Sequence, residues 1–357
     1  MEQSTIILTI LSLVLPHLFF QENTVANAAT FTQTTVTTVN TNSKTQLVYV
    51  NGEYVLEFSS STASGDLLYF TTSTDGSSWS TPVIGPTTTA LTYSLSFNFK
   101  YSTKGNFFGV LYSVSTTGGV YQTWFSTSTD LTTWSTGIVV SNSVISGNQS
   151  LAFAPNSNDV AAILAPPDTN QGMTIATSSD GGATWSSVFS VSSKLVSGQN
   201  VDANVFIGIS GTSGNEVIHL GYEVSTGNSG LPTQMNIIYA SSSDLGASFT
   251  TTSIGVVSNT NGILPTLLRF NLDSNGTPHV AYFDTQAIDT TTLIATGTII
   301  YGTRLANGSW TTSTIGNQVV FNMTANPTPL DLAFTPIGSY PMITYPGGGS
   351  GVFYPML

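Results

Sequence analysis

The sequence predicts an all-β chain folded as one six-bladed β-propeller, its ring closed by an N-terminal strand that completes the last blade. Three observations carry this expectation. A short phrase ending in an aromatic recurs at Trp79, Trp134, Trp185, Phe249 and Trp310, at spacings of 55, 51, 64 and 61 residues. Between these aromatics lie pairs of alternating apolar and polar runs, each pair joined by a tight turn. The segment Thr30–Val39 reads as a lone strand, while the last unit, Leu330–Leu357, has room for only three. A repeat of this length exceeds the roughly 33–47 residues of helical solenoid units and suits a blade of four short strands.

The N-terminus reads as an export signal. Ile6–Phe20 is largely apolar, and Ala26-Asn27-Ala28 fits a small-x-small cleavage site. Residues 1–28 are therefore expected to leave and residues 29–357 to form the propeller. The apolar run is shorter than the about 20 residues of a membrane span, and no later stretch is long enough. The protein is expected to be secreted or held at the cell surface without a transmembrane segment. Asn148, Asn275, Asn307 and Asn322 each head an Asn-x-Ser/Thr sequon, which an exported chain can present for glycosylation.

The blade hairpins follow in order. Their turns are Asn51-Gly52, Lys104-Gly105-Asn106, Asn156-Ser157-Asn158-Asp159, Ser213-Gly214-Asn215, Ser274-Asn275-Gly276 and Ile337-Gly338-Ser339. Asn and Gly tolerate the positive φ that such turns require. Six turns stand against five aromatic phrases, and Thr30–Val39 as the outer strand of the last blade resolves the mismatch. No linker, charge block or shift of composition divides the chain, so one domain is expected.

Composition excludes several functions. The 357 residues include 6 Lys and Arg against 18 Asp and Glu, a net charge of -12. Six cations neutralise few phosphates, so nucleic acid is not an expected partner, nor is an anionic membrane. The absence of Cys removes disulfides and thiolate chemistry. Ser and Thr number 47 and 56, giving a neutral, hydroxyl-rich surface. Hydrophobic residues at 40% still suffice for a core.

The phrase itself is specific. Ser178-Ser179-Asp180-Gly181-Gly182-Ala183-Thr184-Trp185 fits the pattern Ser-x-Asp-x-Gly-x-Thr-Trp at every fixed position. Ser242–Phe249 fits with Ser and Phe at the end, Ser73–Trp79 and Ser128–Trp134 are one residue shorter, and the copy at Trp310 lacks the Asp. This pattern resembles the Asp box, or BNR repeat, of the sialidase-like propellers. The resemblance implies a structural role for Asp75, Trp79, Asp130, Trp134, Asp180, Gly182, Trp185, Asp244, Gly246, Phe249 and Trp310. Physically, the Asp accepts backbone N–H groups, the Gly adopts positive φ and the aromatic wedges between blades.

Sialidase chemistry, by the same resemblance, requires three arginines on the substrate carboxylate. This chain has two, Arg269 and Arg304, and lacks the Phe/Tyr-Arg-Ile-Pro motif. Lysine is a poor substitute for a planar bidentate clamp. A different glycosidase would need two facing carboxylates roughly 5–9 Å apart. The candidate acids are Asp284, Asp202, Glu223 and Asp331, with Glu57 beside them. Counting from the turns places Glu57, Tyr112, Leu164, Tyr222, Tyr282 and Tyr345 at equivalent positions. Tyr282 and Asp284 share a strand face, whereas Tyr222 and Glu223 point oppositely. Asp202, Arg269 and Asp331 fall on innermost strands near the axis. His219 and His279 are repeat equivalents, and two histidines do not make a zinc site. Asp273-Ser274-Asn275-Gly276 opens like a calcium loop, but no Glu closes it, and it reads as a hairpin. No cofactor or metal is expected.

The expectation is a monomeric, non-catalytic propeller that binds glycan or an extracellular protein through its axial face. Tyr112, Tyr222, Tyr282, Tyr345 and Arg269 are the candidate ligand-binding residues. A divergent glycoside hydrolase and a purely structural envelope or matrix protein are the alternatives.

Overall fold

In the computed structural model, the described residues are 5–6, 37–38, 45–62, 65–86, 92–115, 121–142, 149–164, 173–190, 199–226, 234–258, 267–322, 330–334, 340–345 and 352–355. Every regular element among them is a β-strand, and no helix is long and apolar enough to cross a membrane. β1 (Thr5–Ile6) and β2 (Thr37–Thr38) form a two-residue ladder. The rest of the export segment and of the expected closing strand lies outside the described residues. Thr37 and Thr38 pair with Ile6 and Thr5, not with the last sheet.

The first sheet runs through β3 (Thr45–Val50), β4 (Glu53–Thr62), β5 (Gly65–Ser73), β6 (Val83–Ile84), β7 (Thr92–Ser102), β8 (Phe107–Ser115), β9 (Tyr121–Ser128) and β10 (Ile138–Ser141). The second holds β11 (Gln149–Phe153), β12 (Val160–Leu164), β13 (Thr174–Ser178) and β14 (Ser186–Ser190). The third holds β15 (Gln199–Thr212), β16 (Asn215–Thr226), β17 (Gln234–Ser242) and β18 (Thr250–Ser258). The fourth holds β19 (Leu268–Leu272), β20 (Pro278–Asp289), β21 (Ile294–Arg304) and β22 (Trp310–Asn322). The fifth holds β23 (Asp331–Phe334), β24 (Pro341–Tyr345) and β25 (Val352–Pro355).

The chain is thus an all-β propeller of five sheets, which corrects the expectation of six blades. The first sheet has eight strands and absorbs two of the expected units. They join where Tyr93 of β7 pairs with Asp66 of β5. The cause is the short β6, which covers only Tyr69 and Phe70 and leaves the start of β5 as an open edge. An open edge recruits the next available strand.

The turns explain the hairpins. Asn51, Gly52, Asn106, Gly214 and Gly276 all take positive φ. Successive innermost strands touch, β3 to β7 within the first sheet, then β7 to β11, β11 to β15, β15 to β19 and β19 to β23 from sheet to sheet. The core lies between successive four-strand units, two of which share the first sheet. Val55, Phe70, Phe99 and Val110 fill one such layer, and Leu111, Phe125, Leu151 and Leu164 the next. Each fully buried side chain of this size contributes roughly 1.5–3 kcal/mol.

Candidate functional site

The recurring phrase forms one local structure. In the third copy, Asp180 Oδ1 accepts from Thr184 N at 2.8 Å, and Ser178 Oγ accepts from Gly182 N at 2.8 Å. Asp75, Asp130 and Asp244 accept from Ser78, Thr133 and Ser248 backbone N–H groups in the same way. All four carboxyls are held below their usual range, Asp75 and Asp130 chiefly by these backbone bonds, and Asp180 and Asp244, at about 2, first by the side-chain hydroxyls of Thr184 and Ser242 and then by the backbone bonds. Trp79, Trp134 and Trp185 donate Nε1–H to Gly76, Leu131 and Gly182 carbonyls. Trp134 stacks on Phe70 at 5.0 Å, while Trp185 and Trp310 meet Phe125 and Tyr239 edge to face at 5.3 Å, each a ring of the preceding unit. Trp310, in the copy that lacks the Asp, leaves Nε1 buried and without a hydrogen-bond partner among the described residues. Phe249 packs partly buried against the core beneath the third sheet. Gly246 N donates to Ser242 Oγ at 2.8 Å.

The candidate tyrosines are buried. Tyr112, Tyr222, Tyr282 and Tyr345 expose 1%, 4%, 7% and 7% of their surface, so they sit in the packed core instead of lining an open face. Burial pushes the Tyr222 and Tyr282 hydroxyls up to about 12. The ring ends of Tyr282 and Tyr345 meet glycines on outer strands: a Cβ on Gly255 would lie 2.4 Å from Tyr282 Oη, and one on Gly316 would lie 3.0 Å from the Tyr345 ring. Glu57 does not belong in this set. Counted from the residue opposite each phrase serine, Phe58, Tyr112, Leu164 and Tyr222 are equivalent, and Glu57 matches Leu111, Ile163 and Gly221. The Asn51-Gly52 turn holds two residues, and a count started from it sets Glu57 one step early.

Near the axis, the innermost strands form a polar girdle. Gln46 Oε1 accepts from Phe99 N at 2.9 Å, Asn98 Oδ1 from Leu151 N at 3.1 Å, and Ser150 Oγ from Ile207 N at 3.2 Å. Arg269 continues it, its guanidinium 5.6 Å from the Phe206 ring centroid and its Nε 3.8 Å from Asp331 Oδ1. Arg269 Nη1 also donates to the Leu268 carbonyl at 2.8 Å. Burial lowers the Arg269 guanidinium, and Asp331 and then Glu223 oppose that. Lys100, half-buried on β7, is likewise lowered by burial and steadied by Asp331. Lys100, Glu223, Arg269 and Asp331 thus converge from four different sheets. The cluster opens at Asp331, whose side chain is 73% exposed against 22% for Arg269.

Sequence reasoning placed Arg269 and Asp331 near the axis but missed Lys100 and the Gln46–Asn98–Ser150 girdle. The signal was a polar residue at one recurring step of otherwise apolar innermost strands. Asp284 lies elsewhere. Arg269 pairs with Ala281, so Tyr282 and Asp284 face the other side of the fourth sheet, and burial alone raises the Asp284 carboxyl. Asp202 is on β15, but its side chain lies outside the described residues.

No family model matches the sequence, and no curated protein matches it. Solved structures do match. The α-L-arabinanase of Penicillium chrysogenum complexed with arabinobiose superposes with TM-score 0.53 and 13% identity, over 84% of this chain and 87% of that one. The sialidase of Trypanosoma rangeli in complex with sialic acid gives TM-score 0.50 and 12% identity, over 91% of this chain and 55% of that one. The fold is a sialidase-like propeller. An ulvan lyase of polysaccharide lyase family 25 shares this propeller architecture, with TM-score 0.53 and 12% identity over 86% of this chain and 78% of that one.

Proposed function

We propose that this propeller is an exported glycan-binding protein that takes its ligand at the axial face, without turnover. The observation that carries the reading is the convergence of Lys100, Glu223, Arg269 and Asp331 from four sheets upon the axis. A few polar groups brought together on a rigid scaffold are what orient a sugar. The neighbours in fold are described as acting on arabinan or on ulvan, or as holding sialic acid, which supports a carbohydrate ligand. With the tyrosines buried, charged and polar groups carry the recognition. The test is a glycan array probed with the full chain and with Arg269→Ala. Saturable binding that Arg269→Ala weakens at least tenfold, with no product released, supports the reading. Binding indifferent to Arg269 removes it.

A second reading is a divergent glycoside hydrolase. It is favoured by Asp284, whose carboxyl burial raises toward the range a general acid needs. Release of product from bound glycan, abolished by Asp284→Asn, would select this reading.

A further inference from the structure

A recess lies between the second and third sheets, on the side that carries the recurring Ser-x-Asp turns, and none of the axial charged residues lines it. It is a cleft of about 280 Å³. Its floor is apolar: Val160, Ile209 and Ile218 line it and expose 1%, 7% and 1% of their surface. Its rim is polar, with Asp159 on one side, Asp244 on the other, and the hydroxyls of Thr177, Ser179 and Ser186 between them. One Asp159 oxygen, Oδ2, accepts from Ser157 Oγ at 2.7 Å, and among the described residues Oδ1 has no hydrogen-bond partner. That oxygen is available to a ligand.

Leu245 supplies a separate observation. It lines the same cleft, is 41% exposed, and sits at φ 55°, where a side chain is disfavoured. The matching position of the preceding copy is Gly181, at φ 75°. Glycine would occupy this turn without strain. Leu131 follows Asp130 in the same way and takes φ 64°, but it is buried, so what sets Leu245 apart is an apolar side chain exposed beside the cleft.

We propose that this cleft is a binding site for a single neutral sugar ring. The volume falls just below the roughly 300 Å³ at which ligand pockets begin, which suits one ring and not a chain. The apolar floor and Leu245 meet the C–H face of the ring, and Asp159 and the rim hydroxyls take its hydroxyls. An anionic sugar is excluded because the lining holds two carboxylates and no cation. A metal ion is disfavoured because no three acidic or histidine side chains gather in a metal-holding arrangement among the described residues. This site is separate from the axial cluster and does not depend on it.

The test is saturation-transfer NMR on the full chain with three probes: methyl β-glucopyranoside, glucuronate and glucosamine. The expected result is saturable binding of the neutral glycoside alone. Ala247→Trp fills the cleft from an exposed position and should weaken that binding at least tenfold while leaving the melting temperature unchanged. Leu245→Gly should raise the melting temperature and weaken binding, a split that a purely structural leucine would not give. Arg269→Ala should leave this binding as it is. Neutral binding untouched by Ala247→Trp, binding of glucosamine alone, or no binding of any probe would each overturn the proposal.

Discussion

Glu57 occupies a position where two sister units carry Leu111 and Ile163, and it carries no exposed surface. Neither carboxylate oxygen has a hydrogen-bond partner among the described residues, and burial raises the carboxyl well above its usual range. A raised carboxyl stabilises the fold fully below its unfolded value of roughly 4.3, and that contribution is lost as pH rises through the folded value. Glu57→Leu should therefore stabilise the protein by about 1–3 kcal/mol at neutral pH, with the gain shrinking toward pH 4. Urea melts of both proteins at pH 4.5 and pH 8 measure it, and an equal gain at both would refute the assignment. His219 acts in the opposite sense. Its Nδ1 lies 2.7 Å from Tyr239 Oη and its Nε2 lies 2.7 Å from Ser210 Oγ. Burial, then the nearby Arg304, lower it to about 4. The unfolded chain takes up its proton near pH 6.5, so this contribution is present above that pH and is lost as pH falls toward 4. His219→Gln should flatten the fall in melting temperature between pH 7 and pH 4.5.

At the scale of the element, the repeated device is a bulge in the outermost strand pair. Register shifts occur between Val139 and Ser141, Ile175 and Ala176, Ile237 and Ile238, and Ile299 and Ile300. Such bulges bend an edge strand and re-aim its neighbours. Gly255 of β18 lies beside one of them, against the Tyr282 hydroxyl of the next sheet. Gly255→Ala places a methyl 2.4 Å from Tyr282 Oη and should cost about 1–3 kcal/mol. Tyr282→Phe removes the clashing oxygen, so the double variant should recover most of that loss. A double-mutant cycle in denaturant gives the coupling, and strict additivity of the two changes would disprove the contact. The recurring phrase works at this scale too: its Asp ties off each third-strand turn, and its aromatic packs on the unit before.

For the whole molecule, the governing quantity is charge. Six Lys and Arg serve the entire chain, and Lys100 and Arg269 are turned toward the axis. Polyanion binding needs several accessible cations on one face. The protein should elute in the void of a heparin column at 0.15 M salt and leave the mobility of duplex DNA unchanged. Retention on heparin that falls away with rising salt would show a basic patch that these residues do not supply.

Class, repeat length and turn positions were legible in the sequence because each depends on neighbours a few residues apart. Alternation sets strand faces, Asn and Gly set the turns, and Ser-x-Asp closes its turn through its own backbone N–H groups. Arg269 and Asp331 were legible for a related reason, since innermost strands follow from counting units. The joining of the first two units was not legible, because it rests on one long-range pair, Asp66 with Tyr93, left possible by a two-residue β6. Nor was the burial of Tyr112, Tyr222, Tyr282 and Tyr345, since a residue's distance from solvent depends on which sheet packs over it. The meeting of Lys100, Glu223, Arg269 and Asp331 was likewise decided by tertiary structure. Charges so far apart along the chain are brought together only by the rotation from sheet to sheet about the axis, which local sequence preferences do not encode.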